Sequence, residues 1–421
     1  MNIKHFDSIV DYSTVVSTVN TFGTKKQNRK GETITSVNDA MFVLEPSCTP
    51  YCVGRKPSLE YLKRELAFYI SGSNTLKDAL CCSKYWANCT DDGETINSNY
   101  GKLLFYDVNS QGLTQFEHAY NCLCNNTWTK KAVMTVYNAE HAYMSNDNPC
   151  TMFVAFRARN TGALPALDMR VVMRSNDIYY GLPYDLPWFS LVHGYMVHKL
   201  LCAGVAIVKG VYEHQVLDLH SYSRNDARIN EALKEETLFV DTPTEQQFVD
   251  IYNKAFDALD TAVNNRKHRQ FMNAAWEESK KSRCLKKHCG CILVCDGKII
   301  AKGYGDRHSK FGCAECARDK GETFYSDGCY SVHAEMRAVI SALQNGHTNW
   351  RNTIAYVTHG PCDACCKLLN YLGVREVYYD EPYKTDYAKH WPLMSVSQLQ
   401  KSYTDDMHKL LNLWEIPSML R

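Results

Sequence analysis

The chain lacks several features that would narrow its class at once. It has no apolar run of about 18 residues, so nothing in it reads as a bilayer span. Its first residues, MNIKHFDSIVDYS, carry no apolar signal core. It has no excess charge: 47 Lys and Arg face 46 Asp and Glu, a formal net charge of +1. That balance gives no global field for nucleic acid or an anionic membrane. It has no internal repeat and no low-complexity tract. The expectation is a cytoplasmic protein with neither a nucleic-acid nor a membrane partner.

What is present is a globular composition, 45% hydrophobic and 22% charged over 421 residues. That length suits two or three domains. Cysteine is plentiful, with 19 residues. An odd count without a secretory signal argues against a disulfide framework. Ten cysteines crowd between Cys284 and Cys366, which calls for a metal. Cys81, Cys82, Cys122, Cys124 and Cys202 read as small core hydrophobes.

The pattern predicts a helix at YLKRELAFYISG, strands at KKAVMTVYN, TMFVAFRARN and LDMRVVMRS, and a long buried helix at PWFSLVHGYMVHKLLCAGVAI. The texture turns polar from about 226 to 268. The expected division is a first domain over 1–240, a helical linker over 241–268 and a second domain over 269–421. In the last part a strand pair around Asp-Gly is followed by alternating helices and strands. The expected class is α/β and α+β.

Chemistry concentrates first in SVHAEMRA and HGPCDACCKL. His333, Cys362 and Cys365 supply one imidazole and two thiolates. They leave the fourth position of a tetrahedral Zn²⁺ open for an activated water. Glu335, two residues from His333, can carry the proton from that water to a leaving amine. This H-x-E…P-C-x-x-C pattern resembles that of the zinc nucleobase deaminases; the alternative is a purely structural zinc. CARDKG followed by VHAEMRAV resembles the deoxycytidylate (dCMP) deaminases over about 269–385. Two departures bear on nucleotide contacts. GYGDRHS stands where that family has an Asn-containing turn, and Arg337 stands where it has Asn. Arg337 reads as a phosphate holder or a surface ion pair. Cys313 and Cys316, with Cys284, Cys289, Cys291, His288 or Cys329, form a second structural zinc site or are buried thiols.

A second set of motifs runs through QNRKGE, RELAFYISGSN, WANCTDDGETINSNYG, DNPCTMF, RSNDIYYGLPYD and DLHSYSRN. In this order they resemble thymidylate synthase and its relative deoxycytidylate hydroxymethylase, over about 20–226. The resemblance implies that Cys150 is a nucleophile adding to C6 of a pyrimidine. Arg174 then holds the phosphate and lowers the thiol pKa. Arg29 and Ser175 join it on the phosphate. Lys130 and Lys131 stand where two arginines come from a partner subunit, which implies a homodimer. Glu65 orders water and moves protons, Tyr100 lies beside the cysteine, and His220 and Tyr222 hold the sugar hydroxyl. Asp177 and Gly181 lie on the folate side, and the one-carbon donor implied is 5,10-methylenetetrahydrofolate. Trp86 matches one family tryptophan, whereas its companion three residues earlier is Ser83.

Asp185 departs from thymidylate synthases, which carry Asn there. An amide donates to O4 and accepts from N3–H of uracil. A carboxylate only accepts, which suits the amine of cytosine, and the hydroxymethylases carry Asp. The alternative is that Asp185 caps the next helix. The expectation is a bifunctional enzyme on dCMP or dUMP. One site adds a hydroxymethyl or methyl group to C5, dCMP being favoured by Asp185, and the other deaminates C4. The alternative sequence of reactions deaminates first and makes dTMP by way of dUMP.

Overall fold

Alternating polar and apolar positions in the first half build a seven-stranded mixed sheet. The computed structural model describes residues 10–28, 30–55, 57–139, 141, 146–234, 242–307, 331–382, 394–399 and 410–412. Arg29, Cys313, Cys316 and Cys329 therefore lie outside the described residues. Strands follow the order Thr24–Gln27, Thr33–Leu44, Val208–Tyr222, Ala166–Met173, Thr151–Arg159 and Val133–Thr135. The long Val208–Tyr222 strand is antiparallel to Thr33–Leu44 and parallel to Ala166–Met173. A two-residue strand, Asn176–Asp177, extends the parallel pairing against Leu219 and His220.

The segment RSNDIYYGLPYD is thus pinned at both ends. It leaves the strand at Met173, pairs again at Asn176–Asp177, turns, and enters the helix Leu182–Cys202. That helix begins earlier than its apolar run suggested, at Leu182 with Gly181 as N-cap. Asp185 falls in the first turn and is not the cap, which removes the capping alternative. The helix is apolar nearly all round, as a core helix should be. Its Trp188 and Phe189 pack against Tyr69, Tyr100 and Phe105. Fully burying a side chain such as Phe189 contributes about 1.5–3 kcal/mol.

The second sheet has five strands, in the order Lys298–Tyr304, Gly290–Cys295, Thr353–His359, Glu376–Glu381 and Ser395–Gln398. The first two form the expected hairpin. Asp296 at φ 50° and Gly297 at φ 74° give it two left-handed turn residues, as a type I′ turn requires. The last three are parallel, joined by crossovers that include the helix Asp363–Leu372. Gly303 lets the helix Ala334–Gln344 approach the hairpin: a β-carbon there would sit 2.2 Å from Ala334 O and 2.4 Å from Ala338 N.

One helix runs over Thr242–Ser279 and takes in the stretch expected to be a helical linker. Phe248, Ile251, Ala255, Leu259 and Ala262 lie on its buried stripe, at the spacing a helix needs. Contacts divide the chain into Met1–Val263 with Tyr403–Arg421, and Asn264–Ser402. Both units mix helices with mixed sheets. Among the described residues no helix is long and apolar enough to cross a membrane.

Candidate active sites

In the first unit, Cys150 ends the loop that enters the strand Thr151–Arg159. Arg174, at the end of the neighbouring strand, grips that loop. Its backbone N–H donates to Cys150 O at 2.8 Å. Its Nε donates to Pro149 O at 3.1 Å and its Nη2 to Asn148 O at 3.0 Å. Burial pushes the Cys150 thiol up, and the Arg174 guanidinium opposes that rise. An arginine so placed favours the thiolate, which is the nucleophilic form.

Of two buried carboxylates on helices, Asp185 lies near Cys150 and Glu65 lies near Asp185. Glu65, on Leu59–Ser71, accepts from Tyr61 Oη at 3.0 Å and Tyr69 Oη at 3.4 Å. Asp185 is 9% exposed. Burial, with Asp185 nearby, pushes Glu65 up to about 8. Burial pushes Asp185 up to about 7 against a hydrogen bond from Asn176. Both acids therefore exchange protons near neutral pH, which suits acid–base work. Tyr100, N-terminal in its helix, stacks on Tyr69 at 5.4 Å and lies near both Asp185 and Cys150.

Other expected residues gather around these. His220 and Tyr222 share the end of the long strand, their rings 5.1 Å apart and edge to face. His220 pairs with Asp177 across the strands. Tyr222 reaches Asn28, the residue before Arg29. Asp177 Oδ1 accepts from the N–H of Tyr179 at 2.9 Å and from that of Tyr180, while Oδ2 is buried with no hydrogen-bond partner among the described residues. Gly181 is required by its neighbour: a β-carbon would lie 2.1 Å from Asn176 Oδ1. Ser175 is half-buried between Arg174 and Asn176. Trp86 packs on Phe68 with rings 5.5 Å apart. Ser83 caps its turn by accepting from Tyr85 N at 3.1 Å. Lys130 and Lys131 are exposed ahead of Val133–Thr135, and none of the described contacts joins them to Cys150. Two polar residues escaped the sequence reading, Asn176 and His214. Their only signal is a polar type at a buried position.

In the second unit, His333 is the N-cap of Ala334–Gln344 and Cys362 that of Asp363–Leu372. Helix N-termini favour thiolates. His333 Nδ1 lies 3.3 Å from Cys362 Sγ and 3.4 Å from Cys365 Sγ. The three donor atoms lie within 4.8 Å of one another. Ligands at about 2.0–2.3 Å from one Zn²⁺ have such separations. The hydrogen bond from Cys365 and the nearby His333 hold the Cys362 thiol well below the usual range. Glu335 is 5% exposed, and burial raises its pKa. Arg337 stacks on Tyr304, its guanidinium 4.0 Å from the ring centre.

A family model described as thymidylate synthase matches residues 10–274. Another, the cytidine and deoxycytidylate deaminase zinc-binding region, matches residues 265–381. The chain is 39% identical to ComE operon protein 2 of Bacillus subtilis over 106 residues, 25% of this chain and 54% of that protein. It is 30% identical to a deoxycytidylate deaminase of Mycobacterium phage D29 over 118 residues, 26% of this chain and 90% of that protein. It is 21% identical to a thymidylate synthase of Brachyspira hyodysenteriae over 216 residues, 50% of this chain and 76% of that enzyme. The chain thus spans about half of the Bacillus relative's length. Zinc and 5,10-methylenetetrahydrofolate are the cofactors of these two families. The donors present fit them: the His333, Cys362 and Cys365 cluster suits zinc, and the orphaned Asp177 Oδ2 suits the N–H groups of a pterin. The chain belongs to the thymidylate synthase family and carries, C-terminally, the zinc-binding region of the cytidine and deoxycytidylate deaminases.

Proposed function

We propose that the chain is a bifunctional enzyme of pyrimidine deoxynucleotides with dCMP as the preferred substrate for C5 chemistry. The observation that carries this reading is a buried carboxylate, Asp185, beside Glu65, Tyr100 and Cys150. The Cys150 thiolate gives its electron pair to C6 of the base, and C5 becomes nucleophilic toward a one-carbon unit. Methylenetetrahydrofolate supplies that unit when bound, on the side of Asp177, Gly181 and Trp86. Glu65 moves protons at the base, the C5 proton leaves, the methylene carbon parts from the donor nitrogen and takes up water, and the S–C6 bond then breaks to free Cys150. Arg174, Ser175, Arg29 and, from a second copy, Lys130 and Lys131 hold the phosphate; His220 and Tyr222 hold the sugar. Ser83, in place of a second tryptophan, leaves room for water at the methylene, which supports hydroxymethylation over methylation.

At the second site Glu335 takes a proton from the attacking water and delivers one to the departing ammonia at C4. His333, Cys362 and Cys365 would hold a zinc ion, which would lower the pKa of the attacking water. The substrate is dCMP or its 5-substituted form.

The other order of reactions has a physical argument too. Burial pushes Asp185 up to about 7, and a protonated Asp185 would donate to O4 of uracil. Deamination then comes first, dUMP enters the first site, and dTMP is the product. Purified protein incubated with dCMP alone, dUMP plus folate, and dCMP plus folate separates the two by nucleotide mass. The dCMP reading expects a folate-dependent 5-substituted cytosine product. Folate-dependent turnover of dUMP with none of dCMP overturns it.

A further inference from the structure

In the second unit an arginine with no part in the chemistry described above lies one helical turn from a metal ligand. The backbone N–H of Arg337 donates to His333 O at 3.1 Å. The Arg337 guanidinium lies over the Tyr304 ring, 4.0 Å from its centre. Tyr304 ends the strand Lys298–Tyr304, and the chain then runs past the start of the same helix. A β-carbon on Gly305 would lie 3.9 Å from the backbone nitrogen of Ala334, the residue after His333. Arg337 and Tyr304 are each half-buried. Both are thus held beside the helix end that carries His333 and Glu335.

The expected alternative for Arg337, a surface ion pair, is not met: no carboxylate among the described residues pairs with it. The acid closest in sequence to Tyr304 is already taken. Asp306 is 2% exposed, and its Oδ2 accepts from Arg283 Nε at 2.9 Å. A ring contact holds a guanidinium by its face and leaves the N–H groups in its plane to donate. That planar fork matches two oxygens of a phosphate. The neighbouring cluster supplies no such charge. A divalent ion on His333, Cys362 and Cys365 is balanced by two thiolates, and Glu335 adds a carboxyl group. A phosphomonoester carries about two negative charges at neutral pH and needs a cation of its own.

We propose that Arg337, held on Tyr304, binds the 5′-phosphate of the nucleotide at the second site and is the specificity-determining residue for monophosphate over nucleoside. This rests on the reading of that site as a deaminase of dCMP. The test compares deamination of dCMP with that of deoxycytidine, which has the same base and sugar and no phosphate. It uses the full chain with Zn²⁺ and without folate, so that only the second reaction runs.

The parent chain should favour dCMP. Arg337→Ala should lower the ratio of kcat/KM for dCMP to that for deoxycytidine by about 10- to 100-fold, the size of a lost hydrogen bond to a charged group. Arg337→Lys, which keeps the charge and loses the fork, should fall between the two. Tyr304→Leu, which removes the ring that holds the guanidinium, should lower the ratio by less than Arg337→Ala. A fall in both activities by the same factor in Arg337→Ala makes the residue structural and overturns the inference, leaving the deaminase reading intact. A parent chain that treats dCMP and deoxycytidine alike overturns it too. A parent chain that deaminates neither overturns the reading of the second site, and this inference with it. Should Arg337→Ala not fold, Arg337→Gln, which removes the charge and keeps a long polar side chain, decides by the same ratio.

Discussion

Cys150 and the pair Cys362 and Cys365 face the same task, to lose a proton, in unlike surroundings. Cys150 is a lone thiol with an arginine clamped on its loop by three hydrogen bonds. Its neighbours Asp185 and Asp147 oppose ionisation. Cys362 instead has a second thiol and an imidazole within hydrogen-bond reach, and a helix N-terminus beneath it. The first arrangement leaves a sulfur free to attack carbon. The second leaves two sulfurs and a nitrogen converging on one point. On the proposed reading the same residue type serves as a nucleophile in one unit and as a metal ligand in the other, and the surrounding charges set the two apart.

The most severe way to break this comparison is to remove one residue from each site. Cys150→Ala should abolish C5 tritium release and leave deamination of dCMP unchanged. Glu335→Ala should cut deamination by about 10²- to 10⁴-fold and leave tritium release in place. Loss of both activities in either variant would show that the sites do not act separately. Chelation comes next: it should stop deamination, spare tritium release, and be reversed by added Zn²⁺, with one metal recovered per His333 cluster.

A smaller effect sharpens the role of Arg174. Arg174→Gln should raise the Cys150 pKa further, because a nearby opposite charge is lost. The pH midpoint of Cys150 alkylation reads this directly, and an unchanged midpoint would assign the arginine to structure alone. The smallest is packing: Gly303→Ala should destabilise by about 1–3 kcal/mol, since helix backbone must move. Because His333 and Glu335 open that helix, deamination should fall with it; thermal melting and zinc affinity together check this.

The sites differ as much in how legible they are. His333, Glu335, Cys362 and Cys365 lie in two short windows, because a helix N-terminus gathers its ligands within a few residues. The role proposed for them comes from the resemblance of that spacing to the zinc nucleobase deaminases. The proposed first site draws on residues from Arg29 to Tyr222, scattered along the chain, and only several motifs taken together point to it. Asn176 and His214 stayed hidden for a physical reason. Each is a polar side chain at an inward position, and nothing local distinguishes it from a solvated one until the partner strand is in place. The helix Thr242–Ser279 was read in two pieces because its exposed face is highly charged, which masked the apolar stripe beneath.

On the proposed reading, the carboxylate at 185 turns a thymidylate-synthase-type site toward cytosine. The most direct measurement compares folate-dependent tritium release from dCMP and dUMP in the Glu335→Ala chain, with and without Asp185→Asn, as pH is raised through about 7. Asp185 ionises over that range, so the ratio of dCMP to dUMP activity should rise with pH in the Asp185 chain. In Asp185→Asn, which has no titrating group there, the preference should pass to dUMP and the rise should vanish. A preference for dUMP at every pH in the Asp185 chain would contradict the account.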